Sequence, residues 1–204
     1  MTTAVARRPA IPSLMSCAIK RAFDIVVSIL FLMVFCVPMV LIAVAVKFTS
    51  KGPIFHWSDR VGKDNRIFKM PKFRSMRIGT PQLATHLLQE PEDYLTLIGG
   101  MLRRTSMDEL PQLFSVICGD LSLVGPRPAL FNQHDLIALR TESGVHQLTP
   151  GITGWAQING RDDLSIPEKV RLDREYLEVR SLFFDLKIIA LTIMKVIKRE
   201  GVSH

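Results

Sequence analysis
Two adjacent acids, Asp108 and Glu109, sit in the stretch RRTSMDELPQL (103–113), just after Arg103 and Arg104. A carboxylate pair beside fixed cations suits phosphate chemistry, because one carboxylate can act as a nucleophile while the other helps to hold a divalent cation. A plain surface turn with local ion pairs would use the same residues. Ser106 reads as a helix N-cap and Glu109, three residues on, as its capping-box partner, with Pro111 in the first helical turn. That pattern accounts for Ser106 and Glu109 but leaves Asp108 unexplained. A second constellation is GPRP (125–128), which places Arg127 between Pro126 and Pro128. A stiff loop would present the guanidinium preordered for bidentate phosphate binding; taken alone, the motif also fits a rigid loop with an exposed arginine. The third is LTPGITGWAQINGRDDL (148–164), whose glycines would let backbone approach a ligand and whose Trp155 reads as exposed. Neither a GxGxxG nor a GxxxxGK[ST] pattern is present, and no HxxxH or HExxH pair suggests zinc.

The elements that must position these groups are legible in part. GPIFHWSDRVGKDNRIFKMPKFRSM (52–76) is two apolar-aromatic runs around GKDN, the signal of a β-hairpin. Arg60, Lys63, Arg66, Lys69, Lys72, Arg74 and Arg77 stud it. Such a basic patch serves nucleic acid, lipid headgroups or a nucleotide diphosphate, and is often only a solvated face. Residues 81–104 read as helix in two pieces broken near Pro91, and 171–181 as a charged amphipathic helix. SLFFDLKIIALTIMKVIKRE (181–200) reads as an amphipathic helix, with Leu182, Phe183, Leu186, Ile189, Ile193 and Ile197 opposite Asp185 and the lysines. A core helix and a membrane-interface helix both fit it; its basic end favours the interface.

One segment sets the class. Ile25 to Val46 is 22 residues without a charge, long enough to span a hydrocarbon core. A signal peptide, suggested by Ala-Val-Ala at 43–45, is disfavoured by that length and by the central Pro38. Arg7, Arg8, Lys20 and Arg21 precede the run, and Lys47, Lys51, Arg60 and Lys63 follow it. Positive residues mark cytoplasmic ends, and both ends carry them. A re-entrant helix that bends at Pro38 and returns to the same face satisfies this; a proline-kinked spanning helix is the alternative. The net charge of +7 over 204 residues implies an anionic partner. Cys17, Cys36 and Cys118 form no metal-ligand spacing and no disulfide framework, and Cys36, within the apolar run, reads as a buried thiol. The chain divides into a flexible basic tail (1–19), a membrane-anchoring helix (20–50) and a domain over 51–204 that ends in the interfacial helix.

Together the blocks KRAFDIVVSILFL, KGPIFHWSDRVGKDNRIFKMPKFRSM, RRTSMDELPQLFSVICGDLSLVGPRP and PGITGWAQINGRDDLSIPEKVRLDREYL resemble the bacterial sugar transferase family, the monotopic phosphoglycosyl transferases. The resemblance runs from Lys20 to the C-terminal helix. It implies an α/β fold, mainly helical, with a small β-hairpin or sheet, a re-entrant membrane helix bent at Pro38, and a catalytic core without the extra transmembrane helices of larger relatives. Where the family has Ser-Pro at the bend, this chain has Val37-Pro38, and its KFRSM carries serine where threonine is common. The implied reaction moves a sugar 1-phosphate from a nucleotide diphosphate sugar, with a lean to a UDP-N-acetylated amino sugar, to polyprenyl (undecaprenyl) phosphate. UMP is released, and glycan or glycoconjugate assembly begins. By the match, Asp108 is the nucleophile that carries a phosphosugar, and Asp108 and Glu109 hold Mg²⁺. Arg127 leads the candidates for the substrate phosphates, with Arg60, Arg103 and the loop prolines Pro126 and Pro128 beside it, while Pro38, Lys20 and Arg21 belong to the membrane segment. The implied location is the cytoplasmic face of the bacterial inner membrane, among lipids and without nucleic acid; a homodimer is compatible. Direct displacement without a covalent intermediate, a non-catalytic nucleic-acid or lipid-binding module, and a bitopic structural protein are the readings to be separated from this one.

Overall fold
The computed structural model describes residues 14–81, 91–160 and 163–198. The basic tail before Leu14 and the first helical piece expected near 81–90 lie almost wholly outside them. The longest element is α1 (Leu14–Thr49), a continuous helix with Pro38 inside it. It begins at Leu14 rather than Lys20. Asp24, Ser28, Ile42 and Val46 are buried along one side, joined by the partly buried Leu32, Phe35 and Met39. Spacings of three and four residues keep these positions on one stripe. Phe23, Val27 and Leu32 pack on the main core, while Met39 and Ala43 pack with Ile42 and Val46 against Phe73 and Leu102. Around the rest of the helix Val26, Leu30, Met33, Val34, Val37, Val40 and Leu41 stand exposed. Cys36 is exposed too, which corrects the buried reading: its place on the helix faces away from the stripe.

The expected hairpin is present. β1 (Phe55–Val61) pairs antiparallel with β2 (Ile67–Phe73), from Phe55 opposite Phe73 to Val61 opposite Ile67. The turn works because Asp64 (φ 54°) and Asn65 (φ 59°) both occupy the left-handed region, which their short polar side chains tolerate. β4 (Ala129–Leu130) adds to β1 as a third strand. Helix α2 (Gly99–Arg104) leads to a 3-10 turn at Met107–Glu109 and then to α3 (Gln112–Cys118), on which α1 packs. β3 (Ser122–Val124) and β5 (Gly151–Thr153) form a separate parallel pair. Between them lies α4 (His134–Glu142), and beyond them come α5 (Trp155–Ile158), α6 (Ile166–Val179) and α7 (Leu182–Lys198).

The mainly helical architecture with a small sheet is as the sequence predicts. The capping box is not where it was expected. Ser165 and Glu168 form one at the start of α6, whereas Ser106 sits at φ 54° and makes no side-chain cap. A left-handed residue cannot aim its hydroxyl as an N-cap does, because that geometry needs extended backbone. Trp155 is half-buried rather than exposed, its ring 5.0 Å from that of Phe184. On α7, Asp185 is not on a solvated face: it is buried, accepting from Lys20 Nζ at 2.7 Å and from the Tyr176 hydroxyl at 2.7 Å. The outward side of α7 is instead apolar, with Phe183, Leu186, Ile193 and Met194 exposed.

The glycines of the third motif have a different use from the one expected. A Cβ on Gly151 would collide with the backbone of Gly125, and one on Gly154 with the carbonyl of Gly125. They admit backbone against backbone, letting β5 lie close beneath the GPRP loop. Gly151→Ala is therefore expected to destabilise the protein by about 1–3 kcal/mol in thermal unfolding of nanodisc-reconstituted protein; an unchanged melting temperature would show that the close approach is not required.

Candidate active site
Asp108 and Glu109 stand in the 3-10 turn between α2 and α3. Ser106, at φ 54°, turns the chain sharply there, a conformation uncommon outside glycine and of the kind concentrated at functional sites. Asp108 is buried. Glu109 is partly buried, and its Oε1 accepts from Lys72 Nζ at 2.7 Å and lies 3.7 Å from Arg127 Nη2. Three distant stretches thus meet: β2 through Lys72, the dyad turn, and the GPRP loop through Arg127.

Burial pushes the Asp108 carboxyl up to about 6. Lys72 pulls it back down, the Glu109 charge raises it, and Arg103 lowers it. Arg103 therefore acts on the dyad electrostatically; its Nη1 also donates to Met76 Sδ at 3.2 Å. Arg60 lies at the far side of the loop, donating from Nη1 to the Pro128 carbonyl at 3.2 Å and from Nε to Ser58 Oγ at 3.0 Å. Pro126 and Pro128 are buried, so they stiffen the loop instead of offering surface to a substrate; Arg127 between them is half-exposed. Lys20 and Arg21, expected as flanking charges of the membrane segment, bond to the protein: Lys20 to Asp185, and Arg21 to the carbonyls of Val116 and Ile117 at 2.6 and 2.8 Å.

Lys72 was not singled out from the sequence, where it is one cation among seven in the hairpin. The signal was available in the strand alternation. Phe68, Met70 and Lys72 share one side of β2, on which Phe68 is half-buried and Met70 buried, so Lys72 is a charge continuing an apolar register. Five of the seven cations of the hairpin are engaged by neighbours, while Lys63 and Arg66 are exposed. Lys69 pairs with Asp59, Lys72 with Glu109, Arg74 with the Ser50 and Lys51 backbone, Arg77 with the Leu95 carbonyl, and Arg60 with the loop.

With this geometry in view, the sequence comparisons are decisive. Residues 15–199 match the family described as Bacterial sugar transferase. The chain belongs to that family. It is 43% identical over 189 residues to the undecaprenyl-phosphate glucose phosphotransferase of Komagataeibacter xylinus, covering 86% of this chain and 35% of that protein. It is 41% identical over 188 residues to the uncharacterized sugar transferase EpsL of Bacillus subtilis (strain 168), covering 91% of both. With the UDP-N-acetylgalactosamine-undecaprenyl-phosphate N-acetylgalactosaminephosphotransferase of Aeromonas hydrophila it shares 35% over 199 residues, covering 94% of this chain and 46% of that one. The chain thus spans less than half the length of the two relatives named for a sugar, and nearly all of the third.

Among the described residues no group of three or more His, Cys, Asp or Glu gathers as a metal cage. The two carboxylates of the dyad suit Mg²⁺, which typically takes one or two protein carboxylates and completes its shell with phosphates and water.

The raised Asp108 carboxyl has a stability consequence. Its folded value lies above the unfolded value of 3.8, so its contribution to stability is full below about pH 4 and is lost as pH rises through about 6. Asp108→Asn should therefore melt higher than wild type at pH 7–8 in metal-free buffer, by an amount on the order of 2–3 kcal/mol, with the difference shrinking toward pH 4. An Asn variant that gains nothing at pH 8 would mean that the carboxylate is comfortably solvated.

Proposed function
We propose that the protein transfers a sugar 1-phosphate from a UDP-sugar to a polyprenyl phosphate, undecaprenyl phosphate being the acceptor in the names of its relatives. The observation that carries this is the buried Asp108 beside a Glu109 that is held between Lys72 and Arg127. In the first step an Asp108 oxygen attacks the β-phosphorus, and the bond from that phosphorus to the bridging oxygen breaks. UMP departs with the bond's electrons and the sugar phosphate is left as an acyl phosphate on Asp108. In the second step a phosphate oxygen of the polyprenyl phosphate attacks the same phosphorus and frees the carboxylate. A dry site favours the first step, because a poorly solvated carboxylate is the stronger nucleophile, while Lys72, Arg103 and Arg127 offset the repulsion between it and the diphosphate. Asp108 and Glu109 would hold Mg²⁺ against the substrate phosphates; when bound, it neutralises charge that develops on the diphosphate.

The membrane arrangement is part of the same proposal. α1 is long and apolar enough to cross a bilayer, yet both its ends are tied to one body. Arg21 holds the end of α3, and Arg74 holds the carbonyls of Ser50 and Lys51. A straight helix from Arg21 to Ser50 would be roughly 43 Å long, more than the hydrocarbon thickness. Attachment of both ends to the same domain supports re-entry with a bend at Pro38, where the proline removes a backbone hydrogen bond. The exposed apolar side of α7 would then rest at headgroup level, on the cytoplasmic face of the bacterial inner membrane, and bring the site to a lipid phosphate.

Turnover is read as UMP release from reconstituted protein with undecaprenyl phosphate, over UDP-glucose, UDP-galactose, UDP-N-acetylglucosamine and UDP-N-acetylgalactosamine. One or more should support release, with the N-acetylated amino sugars the ones expected, and EDTA should abolish it until Mg²⁺ is restored. Asp108→Asn should lower kcat at least about a thousandfold. Silence with every sugar would favour a binding module, and near-normal turnover by Asp108→Asn would favour direct displacement. For topology, Ala10→Cys and Lys63→Cys in a cysteine-free background should both resist an impermeant maleimide added outside intact cells. Labelling of one of the two would establish a spanning helix.

A further inference from the structure
The GPRP loop cannot fix itself. Pro126 and Pro128 have no N–H, so the loop has few donors of its own, and its carbonyls need partners from elsewhere. The carbonyls of residues 126, 127 and 128 each have one. The Pro126 carbonyl accepts from the Gly151 N–H at 2.9 Å and the Pro128 carbonyl from Arg60. The carbonyl of Arg127 itself accepts from Arg140 Nη1 at 2.8 Å. Arg140 is in turn held by Asp173, whose Oδ2 accepts from Arg140 Nε at 3.0 Å and from Nη2 at 2.6 Å. Asp173 is 1% exposed and Arg140 9%.

We propose that Arg140 and Asp173 are positioning residues that fix the backbone of Arg127 and so aim its guanidinium at the substrate diphosphate. Such a buried ion pair is a poor stabiliser, because desolvating both charges costs about as much as their attraction returns, and apolar replacements are often neutral or better. Its geometry gives it another use. Arg140 comes from α4 and Asp173 from α6, and the one guanidinium nitrogen of Arg140 not bonded to Asp173 donates to the residue whose side chain reaches Glu109. The fork is rigid and planar, which a lysine in its place would not reproduce. The inference rests on the reading of Arg127 as the diphosphate-binding arginine.

The test uses the full chain in nanodiscs, with three sets of variants assayed for UMP release. The paired replacement Arg140→Met with Asp173→Leu removes the ion pair without stranding a charge, and should melt at or near the wild-type temperature. Its kcat/KM for the UDP-sugar should nevertheless fall about ten- to a hundredfold, while the KM for polyprenyl phosphate stays unchanged, a split that general loosening of the fold would not produce. Arg140→Lys, which keeps the charge facing Asp173, should show the same split if the pair disturbs folding. In an Arg127→Ala background the paired replacement should add less than about a twofold loss, since the residue it positions is gone. Wild-type kcat/KM in the paired variant and in Arg140→Lys, or losses that multiply with Arg127→Ala, would overturn the inference and leave the reading of Arg127 intact. Wild-type activity of Arg127→Ala alone would overturn that reading, and the inference with it.

Discussion
The carboxylate of Glu109, caught between Lys72 and Arg127, is the contact on which the rest of the structure depends. Two neighbouring acids in a turn would normally point into water, where each is well solvated and neither is reactive. Here the turn packs against α2 and β2, Met107 and Leu110 beside it pack with Ile42 and Val46 of α1, Arg127 approaches from the loop after β3, and Asp108 is taken out of solvent. Burial of two adjacent carboxylates is tolerable only if cations approach at least one of them. Lys72 comes from the hairpin and Arg127 from the loop between β3 and β4, so the hairpin, the parallel pair and α3 have to be in their places before the charges balance. Glu109 makes the direct contacts with Lys72 and Arg127, while burial raises the proton affinity of the Asp108 carboxyl above its ordinary value. Two neighbouring carboxylates thus stand in different surroundings.

The same logic explains how the membrane segment is attached. α1 is held not by a greasy stripe alone but by polar contacts at its start. Asp24 accepts from Ser122 Oγ at 2.7 Å, Lys20 reaches Asp185, and Asp185 binds the Tyr176 hydroxyl, whose own ionisation is pushed far up by burial and by that carboxylate. These groups connect α1 to β3, α6 and α7, and Val124, on β3, precedes the GPRP loop directly. α1 and the GPRP loop are therefore joined through one set of contacts, as the proposed transfer to a lipid phosphate would require. Substrate-facing groups carried on separate, loosely joined elements would not hold a fixed height.

Much of this was legible in the residues, for identifiable reasons. The hairpin was readable because period-two alternation and an Asp-Asn turn are local signals, and the Asp-Glu pair because local composition left Asp108 without a structural explanation. Arg127 was readable because flanking prolines restrict a loop whatever surrounds it. What escaped depends on contacts between parts distant in sequence. Lys72 and Glu109 are separated by 37 residues, Arg140 and Asp173 by 33, and Lys20 and Asp185 by 165. In the chain each of these reads as a surface charge. Ser106 misled for the opposite reason. Its local pattern is that of a capping box, but the tertiary turn forces it to φ 54° and frees Glu109 for Lys72. The glycines around 151–154 misled because close approach to a ligand and close approach to a neighbouring strand require the same residue.

The account turns on Asp108 as the residue that takes the phosphosugar, and peptide mass spectrometry tests this most directly. Nanodisc-bound protein is given UDP-sugar and Mg²⁺ without any polyprenyl phosphate, quenched in acid and digested. The account predicts a mass increase of one sugar phosphate on the peptide containing Asp108, formed with stoichiometric UMP and discharged when polyprenyl phosphate is added. A protein that releases no UMP and gains no mass until the acceptor is present, and then turns over at full rate, would contradict it.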